Sequence, residues 1–100
     1  MKEKLVRDKV PEIIEKEGKK AVFRKANDGE YWTMLKVKLR EEVEDFLANP
    51  IEEGLVDIYE VMNAIYDFMN VKKENLKELA EKKREEKGSF KERVVLKKVE

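Results

Sequence analysis

The chain has 100 residues, of which 41% are hydrophobic, so it has the size and apolar content of one small domain. Its 23 basic and 23 acidic side chains cancel, which leaves no overall field that would attract nucleic acid or an anionic membrane. Cysteine and histidine are both absent, which excludes disulfides, thiolate ligands and the commonest general base. A metal site would therefore have to use Asp and Glu oxygens, which favour magnesium or manganese.

The first predicted element is a short helix. Pro11 and Gly18 bound it, and Asp8 is its expected N-terminal cap. Residues 21–25 then have the β-branched and aromatic content of a short strand. A similar run at residues 93–97 is the only obvious pairing partner, and a two-stranded pairing is marginal unless helices pack on it.

Two long helices are predicted in the centre of the chain. The first covers residues 28–47, where apolar residues recur every three or four positions: Trp32, Leu35, Leu39, Val43 and Phe46. The second covers residues 51–69, with an inward stripe of Leu55, Ile58, Met62, Ile65 and Met69. The short connection around Asn49-Pro50 makes the two helices antiparallel neighbours. A fourth helix, residues 74–87, has few apolar residues.

These elements predict a mainly α protein, a four-helix bundle-like single domain over residues 1–100 with a small two-stranded β pairing. The first ten residues contain no apolar run like that of a signal peptide, and no stretch of about eighteen apolar residues occurs. We therefore expect a cytoplasmic protein that binds neither membrane nor nucleic acid.

Two rows of carboxylates are the most informative feature of the sequence. Residues three and four apart are neighbours on a helix, so the first long helix carries one row made of Glu41, Glu42 and Asp45. The next helix carries a second row made of Glu53, Asp57 and Glu60. Two such rows on antiparallel helices could converge, and rows without interleaved lysines suggest that a bound cation offsets their repulsion.

A solvated acidic face is the alternative interpretation, because nearly one quarter of the chain is acidic and such spacings arise by chance. The position of Asp57 favours a bound cation. Asp57 lies between Val56 and Ile58 in the most hydrophobic part of the chain, where an unpaired carboxylate is costly. A lysine would neutralise Asp57 as well as a metal would.

The sequence at these residues resembles a known family, the all-α nucleoside triphosphate pyrophosphohydrolases, which include MazG-like proteins and phosphoribosyl-ATP pyrophosphohydrolases. The resemblance covers nearly the whole chain and is closest to the short phosphoribosyl-ATP pyrophosphohydrolase-like members. Three segments carry it in order: KLVRDKVPEII, KLREEVEDF and KREEKGSF.

The resemblance implies a magnesium site that cleaves the link between the α and β phosphates of a nucleotide and releases pyrophosphate. Four residues match the family's ligand motif, namely Glu41, Glu42, Asp45 and Asp57, with Asp45 in place of the usual glutamate. Three residues before Asp57, where the family has a glutamate, this sequence has Gly54. Glu53 and Glu60, one turn away on either side of Asp57, are the candidate replacements.

Phosphates also need cations, and the matching segments supply Arg7, Lys9, Lys83, Arg84 and Lys87 as candidates. The alternative for each is a solvated charge or a surface ion pair worth under about 1 kcal/mol. Tyr31 and Trp32 have side chains that can stack on a base, but Trp32 belongs to the inward stripe, so we leave both out of the site.

Three hypotheses follow. The favoured one is an enzyme that hydrolyses a nucleoside triphosphate or a phosphoribosyl nucleotide with magnesium. The second is a non-catalytic helical module that binds nucleotide or metal, suggested by Gly54. The third is a structural or assembly domain with a solvated acidic face. In each case a core this small would gain from a partner, and we expect a homo-oligomer, either a dimer or a tetramer.

Overall fold

The computed structural model describes residues 3–100, and within this range all regular structure is helical. The four helices are α1 (Val10–Lys16), α2 (Asp28–Ala48), α3 (Glu52–Phe68) and α4 (Lys73–Lys87). The predicted all-α class is therefore confirmed, and the bounds of the three longer helices agree with the prediction to within one residue. No helix in the described range is both long and apolar enough to cross a membrane.

The predicted β pairing is wrong. Residues 21–25 and 93–97 contain no strand. Side chains hold the first of these segments in place, because the guanidinium of Arg24 binds the carboxylates of both Glu3 and Glu30. Val22, which would have packed in a sheet, is 88% exposed. Two strands alone bury too little apolar surface to be stable, and the side chain of Phe23 is also exposed.

The described chain divides into two compact units, one ending at Met69 and the other running from Asn70 to Glu100. The first unit contains α1, α2 and α3, and the second contains α4 and an extended tail. A single domain and a bundle-like arrangement of all four helices remain predictions.

Local capping explains where the helices of the first unit begin and end. The N-terminal cap of α2 is Asn27, whose side-chain oxygen accepts a hydrogen bond from the amide of Glu30 at 2.9 Å. Helix α1 ends at Lys16, two residues before Gly18, where φ is +84°, and the amide of Lys19 donates to the carbonyl of Ile14. Lys9, rather than the predicted Asp8, occupies the N-cap position of α1.

Helices α2 and α3 pack against each other in antiparallel orientation. At one end of the pair, Trp32 stacks on Phe68 with ring centroids 5.2 Å apart. At the other end, Phe46 lies against Gly54. The buried centre of the core is small and consists of Leu35, Val61 and Ile65. Around it lie partly buried residues, namely Leu5, Tyr31, Trp32, Leu39, Met62, Ala64 and Phe68.

Helix α3 carries two apolar rows, and the predicted inward stripe mixes them. The inner row faces the core and comprises Gly54, Ile58, Val61, Ile65 and Phe68. The outer row is displaced by one residue and comprises Leu55, Tyr59, Met62, Tyr66 and Met69. Of these, Met62 still packs against the core, and Met69 follows the last residue of the helix. Leu55 and Met69 are therefore about half exposed, at 53% and 54%, although the sequence pattern placed them in the core.

The ion-pair cluster around Arg24 predicts a pH-dependent stability. Hydrogen bonds from Arg24 lower the pKa of Glu30 and also that of Glu3. A lowered carboxyl pKa stabilises the fold above the unfolded value near 4.5, and this contribution is lost as the pH falls below 4.5 through the folded value. We expect Glu30→Gln to lower the melting temperature slightly at pH 7 and to have no effect well below pH 4.5.

Circular dichroism melts of both proteins over this pH range measure the effect. In an Arg24→Gln background, Glu30→Gln should cause no further loss. A melting-temperature difference that persists in acid would contradict the assignment.

Candidate acidic site on helices α2 and α3

Both predicted acidic rows lie on the packed pair of helices. On α2, Glu42 is the most protected, with 16% of its side chain exposed, whereas 49% of the side chain of Glu41 is exposed. On α3, Asp57 is partly buried, with 41% of its side chain exposed. Asp45, Glu53 and Glu60 are exposed. The two rows therefore differ from a fully solvated face mainly at Glu42 and Asp57.

Asp57 is paired with a cation from a distant part of the sequence. One guanidinium nitrogen of Arg7, Nη2, donates to Asp57 Oδ1 at 2.8 Å. Arg7 is thus the positively charged partner that the apolar surroundings of Asp57 predicted. Because both side chains are roughly half exposed, such a pair stabilises the fold by under about 1 kcal/mol.

Glu41 and Glu42 share a second internal cation, Lys38. Its Nζ lies 3.4 Å from Glu42 Oε1 and 4.0 Å from Glu41 Oε2, and one quarter of its side chain is exposed. Lys38 was not among the predicted partners, although it precedes the two glutamates by three and four residues, the spacings at which helical side chains meet. The repulsion within the α2 row is therefore offset partly by the chain itself.

The six carboxylates supply the oxygen ligands that magnesium prefers, so the chemistry of the donor set fits the ion. Their arrangement is not that of an assembled metal site. Within residues 3–100 no three carboxylates lie close enough together to hold an ion. The structure joins Asp57 to Arg7 and joins Glu41 and Glu42 to Lys38. These ion pairs with Arg7 and Lys38 do not include Asp45, Glu53 or Glu60, and all six ligand assignments remain predictions.

Helix packing accounts for Gly54 at the position where the resembled family has a glutamate. A Cβ atom at Gly54 would lie 3.0 Å from Cδ1 and 3.4 Å from Cβ of Phe46. Contacts this short force the neighbouring ring to move. The close approach of α2 and α3 near their connection thus favours glycine here, for a reason separate from metal binding.

The predicted phosphate-binding cations lie in both units. In the first unit, Arg7 contacts Asp57, and Lys9 stands at the start of α1. In the second unit, Lys83 and Lys87 line one face of α4 around a shallow depression of about 270 Å³. Arg84 also belongs to α4, near its C-terminal end. Three cations on one helix could bind an anion together, and their role remains a prediction.

A groove of about 310 Å³ lies beside Lys38 in the first unit, between the N-terminal segment and α2. Its lining combines apolar and charged side chains, namely Glu3, Lys4, Leu5, Met34, Val37, Lys38 and Glu41. This volume is at the lower end of the range for small-molecule sites. Sequence reasoning missed the groove, because the segment around Leu5 carries no periodic signal that places it against α2.

The fold and the site define an all-α protein with a charged cluster on an antiparallel helix pair. No protein-family model matches the chain, and no solved structure does. An uncharacterised protein of Mycolicibacterium smegmatis is 47% identical to it over 53 residues. These residues are 53% of this chain and 54% of that protein, so the chain spans about half the length of this curated relative. Membership of the resembled family therefore remains a prediction.

Proposed function

We propose that this chain is a magnesium-dependent nucleotide pyrophosphohydrolase of the MazG-like, phosphoribosyl-ATP pyrophosphohydrolase-like type. It cleaves the link between the α and β phosphates of a nucleoside triphosphate or of phosphoribosyl-ATP, giving the monophosphate and pyrophosphate. The pair between Arg7 and Asp57 is the main support. Arg7 lies in the first family-like segment and Asp57 matches the family's ligand motif, and their side chains are in contact although they are 50 positions apart in the sequence.

In this proposal the carboxylates bind the cation. Glu41, Glu42 and Asp57 are the principal ligands, Asp45 completes the motif, and Glu53 and Glu60 replace the ligand missing at Gly54. When bound, magnesium or manganese would lower the pKa of a water molecule and stabilise charge on the phosphoryl oxygens.

The basic residues bind and orient the phosphates. Arg7 is the best placed of them, because its guanidinium already lies 2.8 Å from a proposed ligand and can present two donors to one phosphate. Lys9, Lys83, Arg84 and Lys87 are the further candidates. The groove beside Lys38 offers Leu5, Met34 and Val37 as apolar walls for the nucleoside.

The proposed protein is a cytoplasmic homo-oligomer, a dimer or a tetramer. Its core supports an assembly, because only Leu35, Val61 and Ile65 are buried hydrophobic residues within residues 3–100. A domain of this size with so small a core is marginal without a partner.

A non-catalytic nucleotide-binding or metal-binding module is the second candidate. The contact between Gly54 and Phe46 favours it, because a glutamate at this position would push against the Phe46 ring. A protein that keeps this packing has one ligand fewer than the family motif. This candidate predicts magnesium-dependent nucleotide binding without release of pyrophosphate.

Pyrophosphate release from a panel of nucleoside triphosphates and phosphoribosyl-ATP, with and without magnesium, tests the proposed activity. We expect turnover only with the metal, and we expect Glu42→Gln to lower it by at least about tenfold. Glu44→Gln is the matched control. It makes the same change on the same helix at an exposed position outside the acidic row, and it should leave turnover unchanged.

The outcomes separate the candidates. Equal losses in the two variants would show that the α2 row is not the site. Nucleotide binding by calorimetry without turnover would favour the second candidate. If neither magnesium nor nucleotide binds, only a structural role is left.

A further inference from the structure

The ion pair between Arg7 and Asp57 places a cation of the chain itself on a proposed metal ligand. Nη2 of Arg7 lies 2.8 Å from Oδ1 of Asp57, the distance of a charge-assisted hydrogen bond. A metal ion held by the same oxygen at about 2.1 Å would lie no more than about 5 Å from the guanidinium. Because two positive groups this close repel each other, Arg7 and a metal ion are unfavourable as simultaneous partners of Asp57.

The exposure of the pair allows it to open. The side chain of Arg7 is 55% exposed and that of Asp57 is 41% exposed, so water can replace the contact on both sides. An ion pair of this kind changes an equilibrium constant by up to about fivefold. Asp57 lies on α3, which the buried residues Val61 and Ile65 hold against α2. Arg7 is therefore the member of the pair that is free to move.

The segment that carries Arg7 has other attachments to the first unit. Leu5 packs against the core, and Glu3 accepts a hydrogen bond from Arg24 at 3.0 Å. The carbonyl of Arg7 accepts a hydrogen bond from the amide of Val10, the first residue of α1, also at 3.0 Å. None of these contacts uses the guanidinium of Arg7. The backbone of Arg7 can therefore stay beside the helix pair when its side chain leaves Asp57.

We propose that Arg7 and a divalent cation are alternative partners of Asp57, and that Arg7 leaves the carboxylate when the cation binds. This inference rests on the proposed function, because it takes Asp57 as a metal ligand. It assigns Arg7 a second role, which is to lower the affinity of the candidate acidic site for the cation. The apparent affinity is then the intrinsic affinity multiplied by the fraction of molecules in which the pair is open. Cation binding in turn frees the guanidinium for a phosphate.

Calorimetric titration with magnesium alone, without nucleotide, tests the competition. We expect Arg7→Gln to tighten magnesium binding by about two- to fivefold, because it removes the competing charge. Arg7→Lys should bind magnesium as the unmodified protein does, since an ammonium group can also donate to Asp57. Arg24→Gln is the matched control. It frees the carboxylates of Glu3 and Glu30, which lie outside the acidic rows, and should leave magnesium binding unchanged.

NMR of the arginine side chains gives a second measurement that does not involve activity. Magnesium should shift the Nε–Hε resonance of Arg7 and leave that of Arg24 in place. In Asp57→Asn the Arg7 resonance should no longer respond to magnesium, because the charge that would bind the cation is removed. The unchanged Arg24 resonance shows in each variant that the fold around the N-terminal segment is intact.

The outcomes distinguish this inference from the proposed function. Unchanged or weaker magnesium binding in Arg7→Gln would overturn the competition, and so would magnesium binding that leaves the Arg7 resonance in place. Neither result affects the proposed hydrolysis. Tighter binding in Arg7→Gln without pyrophosphate release would overturn the hydrolysis and support the competition. If magnesium binds to none of the variants, both the competition and the proposed metal dependence are wrong.

Discussion

Leu35→Ala should lower the free energy of unfolding by about 2–5 kcal/mol, the range for truncating a fully buried leucine. Leu35 is the most buried hydrophobic residue of the described chain, at 2% exposure, and it lies in the contact between α2 and α3. The other two buried residues, Val61 and Ile65, both belong to α3. A cavity at Leu35 therefore removes the contribution of α2 to the buried centre, and no other residue of α2 replaces it.

Urea denaturation followed by circular dichroism measures this loss. Both proteins must be compared at the same concentration, because association would make the apparent stability concentration-dependent. Leu47→Ala is the control, since the same truncation at a side chain that is 70% exposed should change the free energy by less than about 0.5 kcal/mol. Similar losses in the two variants would show that Leu35 is not the centre of the core.

Asp57→Asn should abolish metal-dependent turnover, with a loss greater than the roughly 100-fold typical of a residue that only supports a metal ligand. The asparagine keeps the size of the side chain and an oxygen that accepts from Arg7, so the fold and the contact with the N-terminal segment should persist. The negative charge that would bind a cation is removed. Turnover and magnesium binding should therefore fall while the melting temperature changes little.

Asp67→Asn provides the matched control for Asp57→Asn. Asp67 is an exposed aspartate on the same helix, and it lies about 15 Å along the helix axis from Asp57. Turnover and calorimetric magnesium binding are measured in both variants. If Asp57→Asn binds magnesium as tightly as the unmodified protein, Asp57 is not a ligand, and its role is limited to the ion pair with Arg7. If the variant unfolds, the carboxylate is needed for the fold itself.

The charged cluster shows which parts of the candidate site can be predicted from the sequence. Spacing placed Glu41, Glu42 and Asp45 on one side of the helix. The apolar neighbours of Asp57 singled it out as a carboxylate that needs a partner. These signals did not identify the partners. Lys38 was within reach of the same spacing rule and was overlooked. Arg7 was not predictable as a partner, because its contact with Asp57 joins residues 50 positions apart and depends on the path of the N-terminal segment.

The bounds of the longer helices were determined by the sequence itself, because they depend on local interactions. The cap at Asn27, the break at Asn49-Pro50 and the end at Gly88 involve neighbouring residues only. The identity of the α2 core face was also local, since Trp32, Leu35 and Leu39 form one clear row. These local features are sufficient to predict the long helices without reference to tertiary structure.

Only the tertiary structure decided which apolar face of α3 meets α2. Its two rows have the same spacing and differ by one residue, so the pattern alone joined Leu55 and Met69 to Ile58 and Ile65. The contact between Phe46 and Gly54 selects the inner row, because the missing side chain at Gly54 lets the two helices approach closely there. The same contact leaves little room for a side chain at Gly54, the position where the resembled family has a glutamate. Helix packing, a long-range property, therefore decides which row of α3 forms the core of this protein.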